Sequence, residues 1–152
     1  MTDISERHSN DIEVHVIHSE NLSFPADLAW SVAGRFNDLT WLPGMSSFSW
    51  EGNIRRFSIG EAQFIERMEY KNDADRAYGY SLIDGPVPVR DYRASLRVEA
   101  ADNGCRFVME SRSRVAPERV AEIQQMFKAV YSGAARALRK RLQLFLDTAT
   151  KT

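Results

Sequence analysis

Cysteine is almost absent from this chain: Cys105 is the only one in 152 residues. An internal disulfide is excluded, and so is a structural zinc site built on thiolates. An excess of charge of one sign is missing too. The formal net charge of −1 supplies no global field to recruit nucleic acid or an anionic membrane. No stretch approaches the ~20 consecutive apolar residues that span a bilayer, so no membrane insertion is expected. The polar segment Met1 to Asn10, with Asp3, Glu6 and Arg7, lacks the apolar core of a signal peptide. It reads as a disordered tail over residues 1–10, and a cytoplasmic location is the expectation. Neither a Gly-x-Ser-x-Gly elbow nor a Gly-x-Gly-x-x-Gly or phosphate loop occurs, so no cofactor is expected. His8, His15 and His18 lie in the tail and first strand. The last two point to opposite faces, so no metal site is expected.

What remains is ordinary for one globular domain, placed at residues 11–148: 43% hydrophobic and 27% charged residues. Ile12, Val14 and Val16 alternate in a first strand. Pro25 suits a helix start, Asp27 falls in its first turn and Gly34 ends it. A second helical turn is predicted over Asn37–Trp41, stopped by Pro43 and Gly44. Six strands follow: Met45–Glu51, Ile54–Ile59, Glu61–Tyr70, Arg76–Ile83, Val89–Ala101 and Cys105–Val115. In the third of these, Ala62, Phe64, Glu66, Met68 and Tyr70 share one face. Tyr78, Tyr80 and Leu82 share a face of the fourth, and Tyr92, Ala94, Leu96 and Val98 a face of the fifth. Asp102-Asn103-Gly104 is a hairpin turn.

Pro117 opens a long helix reaching about Asp147. Val120, Ile123, Phe127, Val130, Tyr131, Ala134, Leu138, Leu142 and Phe145 form its apolar stripe. Lys128, Arg136, Arg139, Lys140 and Arg141 largely avoid that stripe. They read as a solvated face that complements the helix dipole. No aromatic platform interleaves with them, so no nucleic-acid partner is expected. Hairpin-length links make the sheet antiparallel, and the long helix is the only large cover for its apolar face. The predicted architecture is α+β: a curved seven-stranded antiparallel sheet wrapped around a long C-terminal helix, with two short helices after the first strand. Such a grip leaves volume in the concavity.

Several local motifs carry a family resemblance between Ile12 and about Leu146. They are Phe24-Pro25-Ala26-Asp27-Leu28-Ala29-Trp30, Asn37-Asp38-Leu39-Thr40-Trp41-Leu42-Pro43-Gly44, Glu66-Arg67-Met68, Tyr80-Ser81-Leu82, Pro88-Val89-Arg90-Asp91-Tyr92-Arg93-Ala94, Cys105-Arg106-Phe107-Val108-Met109 and Tyr131-Ser132-Gly133-Ala134. In this order they resemble the START-like, or SRPBCC, superfamily, and within it the polyketide cyclase/dehydrase-like branch. The resemblance implies a helix-grip fold with an internal cavity for lipids, polyketides, hormones or other apolar compounds. It does not decide activity, because the superfamily mixes carriers, receptors and cyclases. The gate loop Ser-Gly-Leu-Pro-Ala of the related abscisic-acid receptors is missing; Ser58-Ile59-Gly60-Glu61-Ala62 stands there. A plant-hormone-receptor role is not expected.

Among polar residues, Glu66 is singled out because its strand neighbours on the same face, Phe64 and Met68, are apolar. A buried carboxylate is costly unless paired or neutralised. Glu66 is therefore either a cavity acid/base or ligand acceptor, or one half of a structural pair with Arg55, or a residue turned outward by a bulge. The receptor resemblance also implies a cavity glutamate here. For Glu110, alternation puts Cys105, Phe107 and Met109 inside and Glu110 outside, whereas the resemblance implies an inward Glu110, reconcilable by a bulge near Met109. Tyr78 reads as a core aromatic; Tyr80 and Tyr92 are candidates to present hydroxyls to a ligand. The catalytic candidates are thus Glu66, Tyr92 and Glu110. The candidate walls are Trp41, Met45, Arg55, Phe57, Ile59, Phe64, Tyr80, Leu82, Ala94, Leu96, Phe127, Tyr131 and Ala134. Three functions fit: a binder of a hydrophobic small molecule, a cofactor-independent cyclase or dehydratase using a cavity carboxylate, or an interaction protein whose concavity is filled by side chains.

Overall fold

The computed structural model describes residues 10–150. The tail expected over residues 1–10 lies outside them, apart from an exposed turn residue, Asn10. The elements run β1 (Ile12–Leu22), α1 (Ala26–Ala33), β2 (Met45–Glu51), β3 (Ile54–Ile59), β4 (Ala62–Asn72), β5 (Ala77–Asp84), β6 (Arg90–Ala101), β7 (Gly104–Val115) and α2 (Val120–Thr150). Pro117–Arg119 form a single 3-10 turn that leads into α2. This is the helix-grip fold. Seven antiparallel strands lie in the order β1-β7-β6-β5-β4-β3-β2, and α2 packs against β1 and β7.

Period-two patterning decides which side of the sheet is covered. Val14 and Val16 of β1, Leu96 and Val98 of β6, and Phe107 of β7 are buried, while Glu13, Arg93, Glu99 and Arg106 between them are exposed. At the β6–β7 hairpin Gly104 is obligatory, because a Cβ there would collide with the Leu22 carbonyl. On α2, Ile123, Phe127, Tyr131, Ala134, Leu138 and Leu142 are buried at helical spacing.

Three expectations are corrected. Residues 37–41 form turns rather than a second helix. The carboxylate of Asp38 accepts from both the Thr40 amide (3.0 Å) and the Thr40 hydroxyl (2.6 Å), a local bond that competes with helical pairing. Tyr70 leaves the face of Phe64 and Met68, because the β4–β5 register shifts between Met68 and Tyr70 and turns it outward. Its ring lies over Gly79, where any Cβ would strike it. Val130 and Phe145 are 56% and 49% exposed, so they sit at the margin of the helix stripe rather than within it.

Candidate functional site

Between the concave face and α2 lies a cavity of about 340 Å³. Its floor is set by two adjacent strands. Arg55 on β3 stands directly across from Glu66 on β4, and both point inward. Arg55 Nε donates to Glu66 Oε1 at 2.8 Å and Nη2 reaches the same oxygen at 2.7 Å. Nη1 donates to the Phe36 carbonyl at 3.1 Å and to the Tyr78 hydroxyl at 3.4 Å. The guanidinium also lies 4.2 Å from the Phe36 ring centre and 4.9 Å from that of Tyr80. Acceptors and aromatic faces together replace the water a buried cation has lost. Arg55 therefore stays charged: burial works against its charge, but Tyr78, Glu66 and Tyr80 outweigh it and hold its pKa above the usual arginine value.

Glu66 is less well provided for. Burial pushes its carboxyl pKa up, against the opposing pull of Arg55. Both bonds fall on Oε1, so Oε2 accepts nothing from the described residues. Nearby, the Tyr80 hydroxyl also has no hydrogen-bond partner among them. Burial, with Glu66 adding to it, pushes Tyr80 well above the ordinary phenol value. Across the cavity the hydroxyls of Tyr92 (β6) and Tyr131 (α2) meet at 2.6 Å. Burial raises both phenols, Tyr131 to about 12, so they are neutral donors at neutral pH. A bulge prepares the Tyr92 position: Asp91 takes φ +52° and the β6–β7 register shifts between Arg90 and Arg93.

The walls are rings. Phe57 and Phe64 stack at 5.2 Å, and Phe127 and Tyr131 at 5.9 Å. Trp41, Leu82, Leu96 and Ala134 complete much of the lining, and exposed Ile59 and Val130 mark the open side. The arrangement offers an apolar body stacking surfaces, with one carboxylate oxygen and several phenols to orient it. No group of three or more His, Cys, Asp or Glu among the described residues is placed to hold a metal ion.

The structure brings most of the candidates named from sequence to this cavity and leaves three out. Met45 is half-buried at the start of β2; it pairs with Ile59 across the ladder but does not itself line the cavity. Ala94 is buried opposite Tyr80 in the ladder, and its single methyl does not reach the space its larger neighbours bound. Glu110 lies on the convex face. The β6–β7 and β1–β7 pairings run unbroken through Met109 and Glu110, so the bulge that would turn it inward is absent. There Glu110 bonds to His15 at 2.5 Å and to Arg97 at 3.0 Å. Sequence reasoning missed Tyr78, Val87, Met109 and Met126 as lining residues. Met126 and Val130, four apart, make a second row beside Phe127 and Tyr131, which is the signal that points to them.

Residues 13–143 match the family described as polyketide cyclase / dehydrase and lipid transport. The chain belongs to that family. Its membership supports a ligand-binding or cyclase role. Among curated proteins no sequence relative matches. Among solved structures, XoxI from Bacillus cereus is 26% identical over 86% of this chain and 96% of its own, with a TM-score of 0.77. A protein from Thermobifida fusca is 25% identical, covering 84% and 92%, also at 0.77. Norcoclaurine synthase from Thalictrum flavum, solved with dopamine and hydroxybenzaldehyde, is 17% identical, covering 94% of each chain at a TM-score of 0.74. This last likeness places the polyketide cyclase / dehydrase chain in the same fold as that synthase. Among the described residues no helix is long and apolar enough to cross a membrane.

Proposed function

We infer that this protein binds a hydrophobic small molecule, such as a lipid, polyketide or aromatic compound, in the cavity between the sheet and α2. The observation that carries this is the pairing of ring-lined walls with the second Glu66 carboxylate oxygen and the Tyr80 hydroxyl, neither of which has a partner among the described residues. A volume of about 340 Å³ falls at the small end of the range usual for ligand sites, and it argues against a concavity filled by its own side chains. The test is a fluorescence titration with N-phenylnaphthylamine. Saturable binding to one site per chain is expected, and it should be lost when Ala134→Phe fills the cavity while circular dichroism shows the fold intact. Absence of binding to the wild type, or unchanged binding by Ala134→Phe, would overturn this reading.

A second reading is a cofactor-independent cyclase or dehydratase. It is favoured by Glu66, whose raised carboxyl suits it to take up and return a proton, with Tyr92 as a neutral donor across the cavity. Turnover of a bound compound that disappears in Glu66→Gln, with affinity retained, would establish it. Affinity and turnover both untouched by Glu66→Gln would rule it out.

A further inference from the structure

A second depression adjoins the cavity. It is an open groove of about 780 Å³ between the loop at 40–43 and the C-terminal half of α2. The two share Trp41, Leu42, Pro43 and Gly133, so they meet at one edge. Four of the twelve groove residues are cationic, namely Arg136, Arg139, Lys140 and Arg141, and none is acidic. Arg139 is occupied by Glu20 at 3.1 Å and by the Asn21 carbonyl. Among the described residues no carboxylate pairs with Arg136, Lys140 or Arg141. Asp38 feels the charge of Arg141 but spends its hydrogen bonds on Thr40.

The helix dipole does not account for these charges. Its effect fades within the last turn, and α2 continues to Thr150 with no basic residue in that turn. Arg136 and Lys140 are instead like charges four apart, which weakens a helix. Gly133 points the same way. Glycine within a helix is destabilising relative to alanine, yet a Cβ at 133 would meet nothing closer than the Arg136 guanidinium at 3.8 Å. Packing therefore does not require glycine here. Its bare backbone keeps the edge between groove and cavity low.

We propose that the groove holds the anionic end group of an amphiphile whose apolar body occupies the cavity, the chain crossing at Gly133. This rests on the cavity-binding reading above and narrows its ligand class to molecules bearing a carboxylate, phosphate or sulfate at one end. That end group comes either from a soluble amphiphile or from a lipid in a bilayer.

The experiment compares dansyl-labelled undecanoic acid with its methyl ester, which shares the apolar body and lacks the charge. The acid is expected to bind about tenfold more tightly, as charge-assisted contacts imply. The gap should close in Arg136→Gln/Lys140→Gln/Arg141→Gln and in high salt, with ester affinity unchanged. Should the triple variant fail to fold, Arg136→Gln/Lys140→Gln should narrow the gap. Equal affinity of acid and ester, or a gap that survives the substitutions, would overturn this inference while leaving the cavity reading intact. Failure of both probes to bind would overturn both. With the gap present, sedimentation with phosphatidylglycerol vesicles by the wild type, lost in the variant, assigns the end group to a bilayer lipid. No sedimentation assigns it to a soluble amphiphile.

Discussion

Glu66 and Glu110 lie on opposite faces of one sheet, each bonded to an arginine, and the two faces treat them differently. On the concave side, Glu66 is 8% exposed and leans on Arg55 alone; loss of water outweighs the arginine and its carboxyl is pushed up. On the convex side, Glu110 keeps access to solvent. Its hydrogen bond to His15 and then its bond to Arg97 hold its carboxyl below the usual range. An arginine partner by itself therefore does not decide the state of a carboxylate. What decides is how much hydration was given up and how many donors replaced it. The concave face is built to keep one acceptor under-supplied, which is a poor arrangement for stability and a useful one for receiving a ligand.

The largest test of this contrast removes the cation from the concave side. Arg55→Met strands Glu66 and leaves the Phe36 carbonyl unpaired, so it should cost about 3–5 kcal/mol in chemical denaturation. A loss under about 1 kcal/mol would mean that this face is wetter than its burial implies. Phe127→Ala should cost about 3 kcal/mol, the low end for a buried ring, because Phe127 borders the cavity and its removal enlarges an existing space. An unchanged denaturation midpoint would place the ring outside the grip. Glu66→Gln should act in the opposite direction, with a gain of up to about 1 kcal/mol near neutral pH. The amide that replaces the carboxylate still offers a carbonyl to Arg55, and Arg55 keeps its bond to Phe36 and its aromatic faces. A carboxyl raised in the folded state favours folding only while protonated. Its contribution is complete below the unfolded value of about 4.3 and is lost as pH rises through the folded value, so the gain from the substitution should vanish in acid. A clear loss at neutral pH would show that Arg55 dominates. Smallest is Glu110→Gln, expected to lose less than about 1 kcal/mol. A lowered carboxyl stabilises above the unfolded value and ceases to do so as pH falls through the folded value. The loss should therefore be present at neutral pH and disappear in acid.

Much of this contrast was legible in the residues. Strand period alone puts Glu66 among Phe64 and Met68 and puts Glu110 outside, and for Glu110 it outperformed the family resemblance. The pairing of Glu66 with Arg55 was one of three readings, and it proves compatible with a cavity position because only one oxygen is used. What escaped depends on non-local geometry. The bulge that turns Tyr70 onto Gly79 is invisible to alternation, which assumes an unbroken period. The stretch 37–41 has apolar spacing that suits a helix, but Asp38 and Thr40 bond locally and hold it in turns. The basic run on α2 reads as a solvated face with dipole complementarity, and Arg136, Arg139 and Lys140 are exposed as that reading requires. The dipole part does not apply to them, because they lie well before the last turn of a helix that reaches Thr150.

Carboxyl-carbon NMR titration of Glu66 and Glu110 in one sample separates the two faces directly. Glu66 is expected to titrate above the usual glutamate value of about 4.3 and to move further when an apolar probe saturates the cavity, while Glu110 titrates below it and is indifferent to the probe. Two glutamates titrating together, or Glu66 titrating below Glu110, would contradict that expectation.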